Sequence, residues 1–452
     1  MSLRSNVWAA ATVLVVSAAT LIGVQGPAVA AADPTLSLGN FELRPNAMGD
    51  ELKRRVAELD KELPRAGVGK IIADANRVGR VGAPYVPCNS AAAGRTLGSV
   101  SESICFNAGD NSTGLWMPQG VTTVADAQDD QRWGERNQPI LVSWYDSSNK
   151  DGVANGEDSL EKGVRITFID PRTGRYRHVL LVYPTVNSYD NVSYMSVRTK
   201  QTGEGKSLHA GGIVWYGNFL YVADTGRGFR VFDMRHIYDL GAASNGTTKD
   251  RDKIGRRSGT YYGHGYRYVM PQVASWTSTT AKVAKCTEDS RGLRFSYAGL
   301  DRSGVDHMVA GEYCNGASPE TRARGRVVAW PMAGAVDGAG EQITTKGYRW
   351  KADAAHKVPF SNIQGAARFN GRWYLSQSRG KDSNGALFQT ARATASTETL
   401  QVATSQPAAV GPEDLSHWQR GSGGTTLGIM WTVAEHPNKR MVYATVPKEI
   451  AG

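Results

Sequence analysis

A repeating unit of three or four short apolar strands recurs along this chain and limits its possible folds more than any other feature. In the clearest copy, the runs 208–215, 219–224 and 229–233 are rich in β-branched and aromatic residues and are separated by Gly-containing turns. The run 266–274 can supply a fourth strand. Comparable sets fall at 117–122, 140–145, 164–170 and 178–183; at 293–298, 307–313 and 325–332; at 363–369, 372–377, 385–390 and 397–404; and at 412–416, 429–434 and 440–446.

Each unit is one small sheet that cannot bury both of its faces alone, and radial stacking buries them. The sequence therefore predicts an all-β fold, a single β-propeller of five blades with a short N-terminal helical segment. A six-bladed ring, with a sixth sheet drawn from residues before Gly114, is the alternative. The fifth unit stops after three strands, and residues 95–106 are predicted to supply its missing outer strand.

The region before the first blade carries the one convincing helical pattern and the predicted export signal. Leu52, Val56, Leu59 and Leu63 recur at spacings of three and four, which predicts a helix over residues 48–63 with Asn46 as its cap. Residues 1–31 combine a basic start, an apolar stretch and a small-residue cleavage pattern typical of a signal peptide. We expect a helical and closing-strand segment at 32–113, a propeller at 114–452, and a secreted, extracellular protein without a membrane span in its mature form.

Four cysteines lie beyond the predicted signal, an even number that favours disulfides in an exported chain. Their spacing along the chain predicts the pairs Cys88–Cys105 and Cys286–Cys314. The formal net charge of +10 is compatible with an anionic partner. Because export is predicted, an extracellular glycan or an anionic wall polymer is favoured over nucleic acid as the partner. The protein itself is expected to be a monomer.

Two segments of the second unit carry a resemblance to known propellers. The run Gly211-Gly212-Ile213-Val214, continued by Leu220-Tyr221-Val222-Ala223-Asp224-Thr225-Gly226, and its sequel Phe229-Arg230-Val231-Phe232-Asp233 resemble blades of NHL, LVIVD and gluconolactonase/strictosidine-synthase propellers. The Ala-rich signal and the Pro412-Glu413-Asp414-Leu415-Ser416 ending also resemble those of secreted actinobacterial proteins. The resemblance implies the architecture and leaves the chemistry open, because propellers host many functions.

The innermost strands of a propeller face its axis, so residues near the start of each blade converge there although they are distant in sequence. These positions hold Gln119, His209, Ser296 or Tyr297, Gln364, and Glu413 with Asp414. Small residues beside them, Gly120, Gly211, Gly212 and Gly365, would let backbone or ligand approach closely.

In gluconolactonase-like propellers the matching positions hold a divalent cation, often calcium. The resemblance therefore implies that Glu413 is a ligand of such a cation. Gln and His stand where Asn and Asp are expected, and a Glu413–His209 pair suits zinc or another transition metal better. A hydrogen-bonded plug, a metal site and a metal-free acid/base site all remain open.

Two functions follow from this axial ring. The first is binding of a glycan, wall polymer or small ligand at the channel mouth by Gln119, His209, Gln364, Glu413 and Asp414. The alternative is a metal-assisted enzyme of the lactonase or lyase kind, with Glu413 and His209 as catalytic residues or metal ligands. That alternative predicts a carboxyl group with a perturbed pKa in the channel.

Overall fold

The computed structural model describes residues 33–82, 88–92, 97–148, 161–200, 205–281, 286–287, 289–316, 324–420 and 426–448. By its internal contacts the chain divides into Met1–Asp33 and a second unit, Pro34–Gly452. The predicted signal peptide at residues 1–31 and the first two residues of the predicted closing segment, 95 and 96, lie outside the described residues. Among the described residues, no helix has the length and apolar character needed to cross a membrane.

The described residues of the N-terminal part of the second unit contain short strands, three α-helices and three 3₁₀ helices (Pro34–Leu36, Leu38–Phe41 and Asn89–Ala92). The strands and α-helices are β1 (Leu43–Pro45), α1 (Gly49–Glu62), β2 (Arg65–Ala66), α2 (Val68–Ala73), β3 (Arg77–Val78), β4 (Arg80–Gly82), β5 (Val100–Cys105) and α3 (Ala108–Ser112). The predicted helix is confirmed as α1, with its apolar stripe buried. Asn46 does not cap it, because its Oδ1 accepts from the Met48 amide (3.1 Å) in a turn that ends just before the helix.

Five sets of strands follow and form the blades, and the first two sets are joined into one sheet by a parallel pairing between their outer strands. The first contains β6 (Trp116–Thr123), β7 (Ile140–Asp146), β8 (Val164–Ile169) and β9 (Arg175–Val186), with helix α4 (Val124–Ala127) after β6 and strand β10 (Val192–Ser196) beside β9. The second contains β11 (Ile213–Tyr216), β12 (Phe219–Asp224), β13 (Gly228–Asp233) and β18 (Tyr268–Ser278), with an insertion of β14 (Ile237–Asp239), β15 (Gly246–Thr247), β16 (Ile254–Arg257) and β17 (Thr260–Gly263).

The remaining blades are separate sheets. The third contains β19 (Tyr297–Asp301), β20 (His307–Gly311), β21 (Arg326–Pro331), β22 (Ala354–Lys357) and β26 (Thr397–Thr399). The fourth contains β23 (Ile363–Phe369), β24 (Arg372–Gln377), β25 (Asn384–Thr390) and β27 (Val402–Val410). The fifth contains β28 (Ser416–Arg420), β29 (Thr426–Val433), β30 (Met441–Thr445), β5 and β4. The five-bladed prediction is therefore confirmed over the six-bladed alternative.

Four strand predictions are corrected. The innermost strands of the second and fifth blades begin at Ile213 and Ser416, so the predicted runs 208–215 and 412–416 start too early. The run 397–404 is not one strand, because Leu400 turns into the core between the third and fourth blades. The chain before it pairs in parallel with β22, and the chain after it pairs with β25. The innermost strand of the third blade begins at Tyr297 and not at residue 293, since Leu293 and Phe295 pack into the preceding core.

A hydrophobic core fills each of the five gaps between neighbouring blades, and large aromatic residues dominate these wedges. Trp330 and Trp350 lie between the second and third blades, Trp215 between the first and second, and Trp144 between the fifth and first. Two further cores fill the gaps between the third, fourth and fifth blades. Fully buried rings of this size each remove a large apolar area from water, so the wedges hold the radial arrangement.

The ring is closed by a strand from the N-terminal segment, as predicted. Strand β5 pairs antiparallel with β30, with Cys105 opposite Met441 and Ile104 opposite Val442. Both predicted disulfides, Cys88–Cys105 and Cys286–Cys314, are present. The first bridge fixes the end of the closing strand, so closure of the last blade is linked covalently to the chain before it.

Candidate functional site

The start of the fourth blade and the chain just before β28 bring two of the predicted axial residues into contact. Gln364 lies on β23, and its Nε2 donates a hydrogen bond to Oε1 of Glu413 at 3.1 Å. Glu413 is held by backbone contacts on both sides, because its amide donates to the Val433 carbonyl (3.0 Å) and its own carbonyl accepts from the Thr432 hydroxyl (3.2 Å). The side chain is 2% exposed.

A second carboxyl group, Glu435, completes this contact and was not singled out by the sequence. Its side chain is in hydrogen-bonding contact with Glu413, and its Oε2 accepts from Gln119 Nε2 at 3.0 Å. Burial, followed by the charges of Glu435 and Asp414, raises the pKa of Glu413 well above its usual value. Glu413 is therefore the protonated partner and donates its proton into the contact with Glu435.

Aromatic side chains lie around this carboxyl pair. The ring of the exposed His209 packs on Tyr145, with ring centroids 4.7 Å apart. Burial and the charges of Glu435 and Glu413 raise the pKa of Tyr145 to about 12, and burial with the same two charges raises that of Tyr313. Both tyrosines are partly exposed and stay protonated at neutral pH. We refer to Gln119, Tyr145, His209, Tyr313, Gln364, Glu413 and Glu435 as the axial cluster.

Asp414 lies next to Glu413 in the chain and has a different environment. Its carboxylate accepts hydrogen bonds from the backbone amides of Ile213 (3.1 Å), Ala298 (3.1 Å) and Val121 (3.3 Å). One side chain of the fifth blade thus joins the innermost strands of the first three blades. Burial raises the pKa of Asp414, and these amide donors oppose that shift. Because Asp414 is 0% exposed, this geometry gives its predicted ligand-binding role no support, and it matches the hydrogen-bonded plug.

The glycines beside the axial residues are needed for the close approach of neighbouring blades. A Cβ on Gly365 would lie 2.6 Å from the Glu413 carbonyl oxygen. A Cβ on Gly120 would lie 2.8 Å from the Ile213 amide nitrogen. These distances are shorter than van der Waals contact, so the glycines serve backbone packing between blades.

Asp126 is a further buried acid near the axis that the sequence did not indicate. Its Oδ2 accepts from the hydroxyls of Thr122 and Ser416, each at 2.7 Å, which links the first blade to the fifth. Burial raises the pKa of Asp126 to about 6 despite these hydrogen bonds. Asp126 therefore titrates close to neutral pH while it remains inside the fold.

The predicted metal ligands were tested against the arrangement of donor groups. Within the described residues, no group of three or more His, Cys, Asp or Glu side chains is placed to hold a metal ion. Glu413 instead has an amide and a second carboxyl group as its neighbours. This geometry gives the calcium or zinc interpretation no support, and it stays a prediction.

Comparison with known proteins yields only distant structural likenesses. No protein-family model and no curated protein sequence matches this chain. Among solved structures, it is similar to the RS223 β-xylosidase at 10% identity and a TM-score of 0.31, over 74% of this chain and 92% of that one. It is also similar to a GH43_1 enzyme from Xanthomonas citri at 10% identity and a TM-score of 0.33, over 75% and 89% of the two chains. At this level the likeness carries no argument about activity.

Proposed function

We propose that the axial cluster binds a neutral, hydroxyl-rich ligand, of which an extracellular glycan is the best match. The observation that carries this proposal is the convergence of the Glu413–Glu435 pair with the side-chain amides of Gln119 and Gln364. Amide and carboxyl groups match the donors and acceptors of sugar hydroxyls. The exposed ring of His209 and the partly exposed ring of Tyr145 offer an apolar face beside them, as a sugar ring requires.

The charge of the cluster argues against an anionic ligand at this position. Glu435 points a carboxyl group into the cluster, and Glu413 lies behind it. A polyanion brought to this surface would meet like charge in a partly buried setting, which costs free energy. Among the predicted ligands, a neutral glycan is therefore favoured here over an anionic wall polymer.

The test is a binding screen of the purified protein on arrays of neutral and acidic glycans, followed by calorimetry on any hit. We expect retention of neutral glycans that changes little with salt. Replacing Gln364 with Ala should weaken binding about ten-fold or more, because a ligand hydroxyl loses its hydrogen-bond partner. The matched control is Gln401→Ala, an exposed amide outside the cluster. No retention of any neutral glycan, or equal loss in both variants, would refute the proposal.

One observation favours a second function, acid/base catalysis. The enzyme hypothesis predicted a carboxyl group with a perturbed pKa in the channel, and Glu413 has one. The geometry pairs Glu413 with Glu435, so we propose Glu435 as its proton-exchange partner in place of His209. A screen of lactones and uronate-containing glycans should then show turnover that Glu413→Gln abolishes while the protein stays folded. Absence of turnover on every substrate leaves binding as the function.

We further propose that the protein works as a monomer outside the cytoplasm. Two disulfides within the described residues support this location, because such bonds persist in oxidising compartments. Mass determination of the protein recovered from culture medium would show removal of residues up to the predicted cleavage site. Recovery of the uncleaved chain inside cells with free thiols would contradict export. Light scattering would test the monomer.

A further inference from the structure

A second concave site shares no residue with the axial cluster. It is a cleft of about 620 Å³ between the outer part of the first blade and the insertion that carries β14–β17. Five cationic side chains line it, and we call it the basic cleft: Arg77, Lys162, Arg177, Arg251 and Arg267. No Asp or Glu is among the described residues that line it.

The carboxylates behind the cleft neutralise only part of this charge. Arg77 lies 3.1 Å from Asp110, but Asp110 also pairs with the buried Arg165 at 2.8 Å. Arg267 pairs with Asp239 at 2.7 Å and with Asp74 at 3.3 Å. These pairs fix two of the five cations in place, and two of the three carboxylates are shared with a cation outside the cleft, Asp110 with Arg165 and Asp74 with Lys70.

The other three cations have no carboxylate partner in the described part of the chain. Lys162 and Arg251 take part in no ion pair there, and Arg177 donates to the backbone carbonyl of Asp74. Burial and the charges of Arg267 and Arg77 lower the pKa of Arg177, and Tyr268 and the Asp74 carboxylate oppose that shift without cancelling it. The cleft thus holds cations that repel one another, and an anion placed between them would relieve that repulsion.

Two glycines leave room for the arginine side chains. A Cβ on Gly265 would lie 3.0 Å from Cγ of Arg251, and a Cβ on Gly241 would lie 3.0 Å from Nε of Arg267. The Arg251 backbone is also held, because its carbonyl accepts from Nδ1 of the buried His264 at 3.2 Å. The Arg267 side chain and the Arg251 backbone are therefore positioned before any ligand arrives, which reduces the entropy lost on binding.

We propose that the basic cleft binds the tetrahedral oxyanion, phosphate or sulfate, of an anionic ligand. Guanidinium groups recognise such oxyanions through paired N–H donors, and the volume of the cleft exceeds that of a single ion. This site is independent of glycan binding at the axial cluster. The five cations of the basic cleft are part of the net positive charge of the chain, and the proposed partner of these five is an oxyanion.

Calorimetric titration of the full chain tests this proposal with three probes of matched charge. They are tripolyphosphate, a sulfated heparin oligosaccharide and oligogalacturonate. Binding of either of the first two that weakens as salt rises, with weaker binding of the carboxylate probe, is the expected result. The stronger of the first two identifies phosphate or sulfate as the natural group.

Variants separate the cleft from general surface charge. The double change Lys162→Gln with Arg251→Gln should reduce affinity by about ten-fold or more, because each removes a charge-assisted contact. The control, Lys351→Gln with Arg136→Gln, removes the same charge from exposed sites outside the cleft and should leave affinity within about two-fold. No binding of either oxyanion, equal binding of all three probes, or equal loss in both double variants overturns the proposal. Neutral glycan should not compete in any of these titrations.

Discussion

The carboxyl groups of Glu413 and Glu435 are in hydrogen-bonding contact at the propeller axis. Two carboxylates this close cannot both be ionised without strong repulsion, so the pair holds a proton between them. In glycoside hydrolases the two acidic groups stand about 5 to 10 Å apart, which leaves room for the scissile bond or a water molecule. The contact seen here is suited to holding or exchanging a proton next to a bound ligand.

Replacement of Glu413 tests this proton directly. Glu413→Gln keeps an acceptor for Gln364 and supplies a donor to Glu435, so it mimics the protonated acid. The raised pKa means that the wild-type protein loses stability as pH rises above the unfolded-state value, and the variant does not. We expect Glu413→Gln to be at least as stable as wild type at pH 8 in urea denaturation. Glu413→Ala should cost about 1–3 kcal/mol, because Gln364 loses its acceptor. Equal stability of the Gln and Ala variants would contradict the shared proton.

Asp126 should produce a measurable dependence of stability on pH. Its pKa of about 6 in the folded protein lies above the ordinary value of 3.8, so the folded state binds the proton more tightly. Its contribution is present in full below about pH 4 and is lost as pH rises through 6, by about 3 kcal/mol. Asp126→Asn should match wild type at pH 4 and exceed it at pH 8. Parallel stability curves for the two proteins from pH 4 to 8 would show that Asp126 does not titrate in this range.

The two disulfides should differ in how much each contributes to the free energy of unfolding, and the one that holds the closing strand should contribute more. Loop entropy alone favours Cys286–Cys314 by a few tenths of a kcal/mol, since it spans 28 residues against 17 for Cys88–Cys105. Because Cys105 ends the closing strand, we expect the Cys88→Ser/Cys105→Ser variant to lose more, about 3 kcal/mol. Thermal unfolding of both double variants decides between the two orders. A larger loss for Cys286→Ser/Cys314→Ser would mean that closure adds nothing beyond loop entropy.

Asp414 is predicted to be the most sensitive axial residue for stability. Asp414→Asn keeps one oxygen, which can accept from two of the three backbone amides, and directs its NH₂ group at the third. A loss of about 2–3 kcal/mol is expected, because a buried amide is left without an acceptor. Asp382→Asn, at an exposed ion pair, is the control and should change stability by less than about 0.5 kcal/mol. A loss below 1 kcal/mol for Asp414→Asn would show that solvent replaces these contacts.

The sequence predicted the repeating architecture because short apolar runs between turns are a local signal. The closing strand was also within reach, since a three-stranded last unit needs a partner for its edge. The corrected strand positions needed tertiary information. Leu400 is one apolar residue in a β-like run, and only the wedge between two blades determines that its side chain turns inward.

The sequence predicted only some residues of the axial cluster, for a similar reason. Gln364 and Glu413 lie at the start of blades, where the repeat points to the axis. Glu435 lies after the second strand of the last blade and Tyr145 near the end of the second strand of the first, so position within the repeat did not indicate them. A signal was available in retrospect. Glu435 follows an apolar strand at the same end of the blade as Glu413, because the Glu413 amide bonds to the Val433 carbonyl.

The closing strand also has a consequence for how this protein is assembled during synthesis. Strand β5 leaves the ribosome early, while its partner β30 follows more than three hundred residues later. Strand β4, which pairs with the other edge of β5, belongs to the same N-terminal segment, and the Cys88–Cys105 bridge at the end of β5 forms once the chain reaches an oxidising compartment. The N-terminal segment thus supplies two strands of the last blade, and the blade is complete only when the last hairpin pairs with them. Pairing of the last hairpin with β5 is the step that completes the whole ring, because until then both edges of the gap are open to other chains.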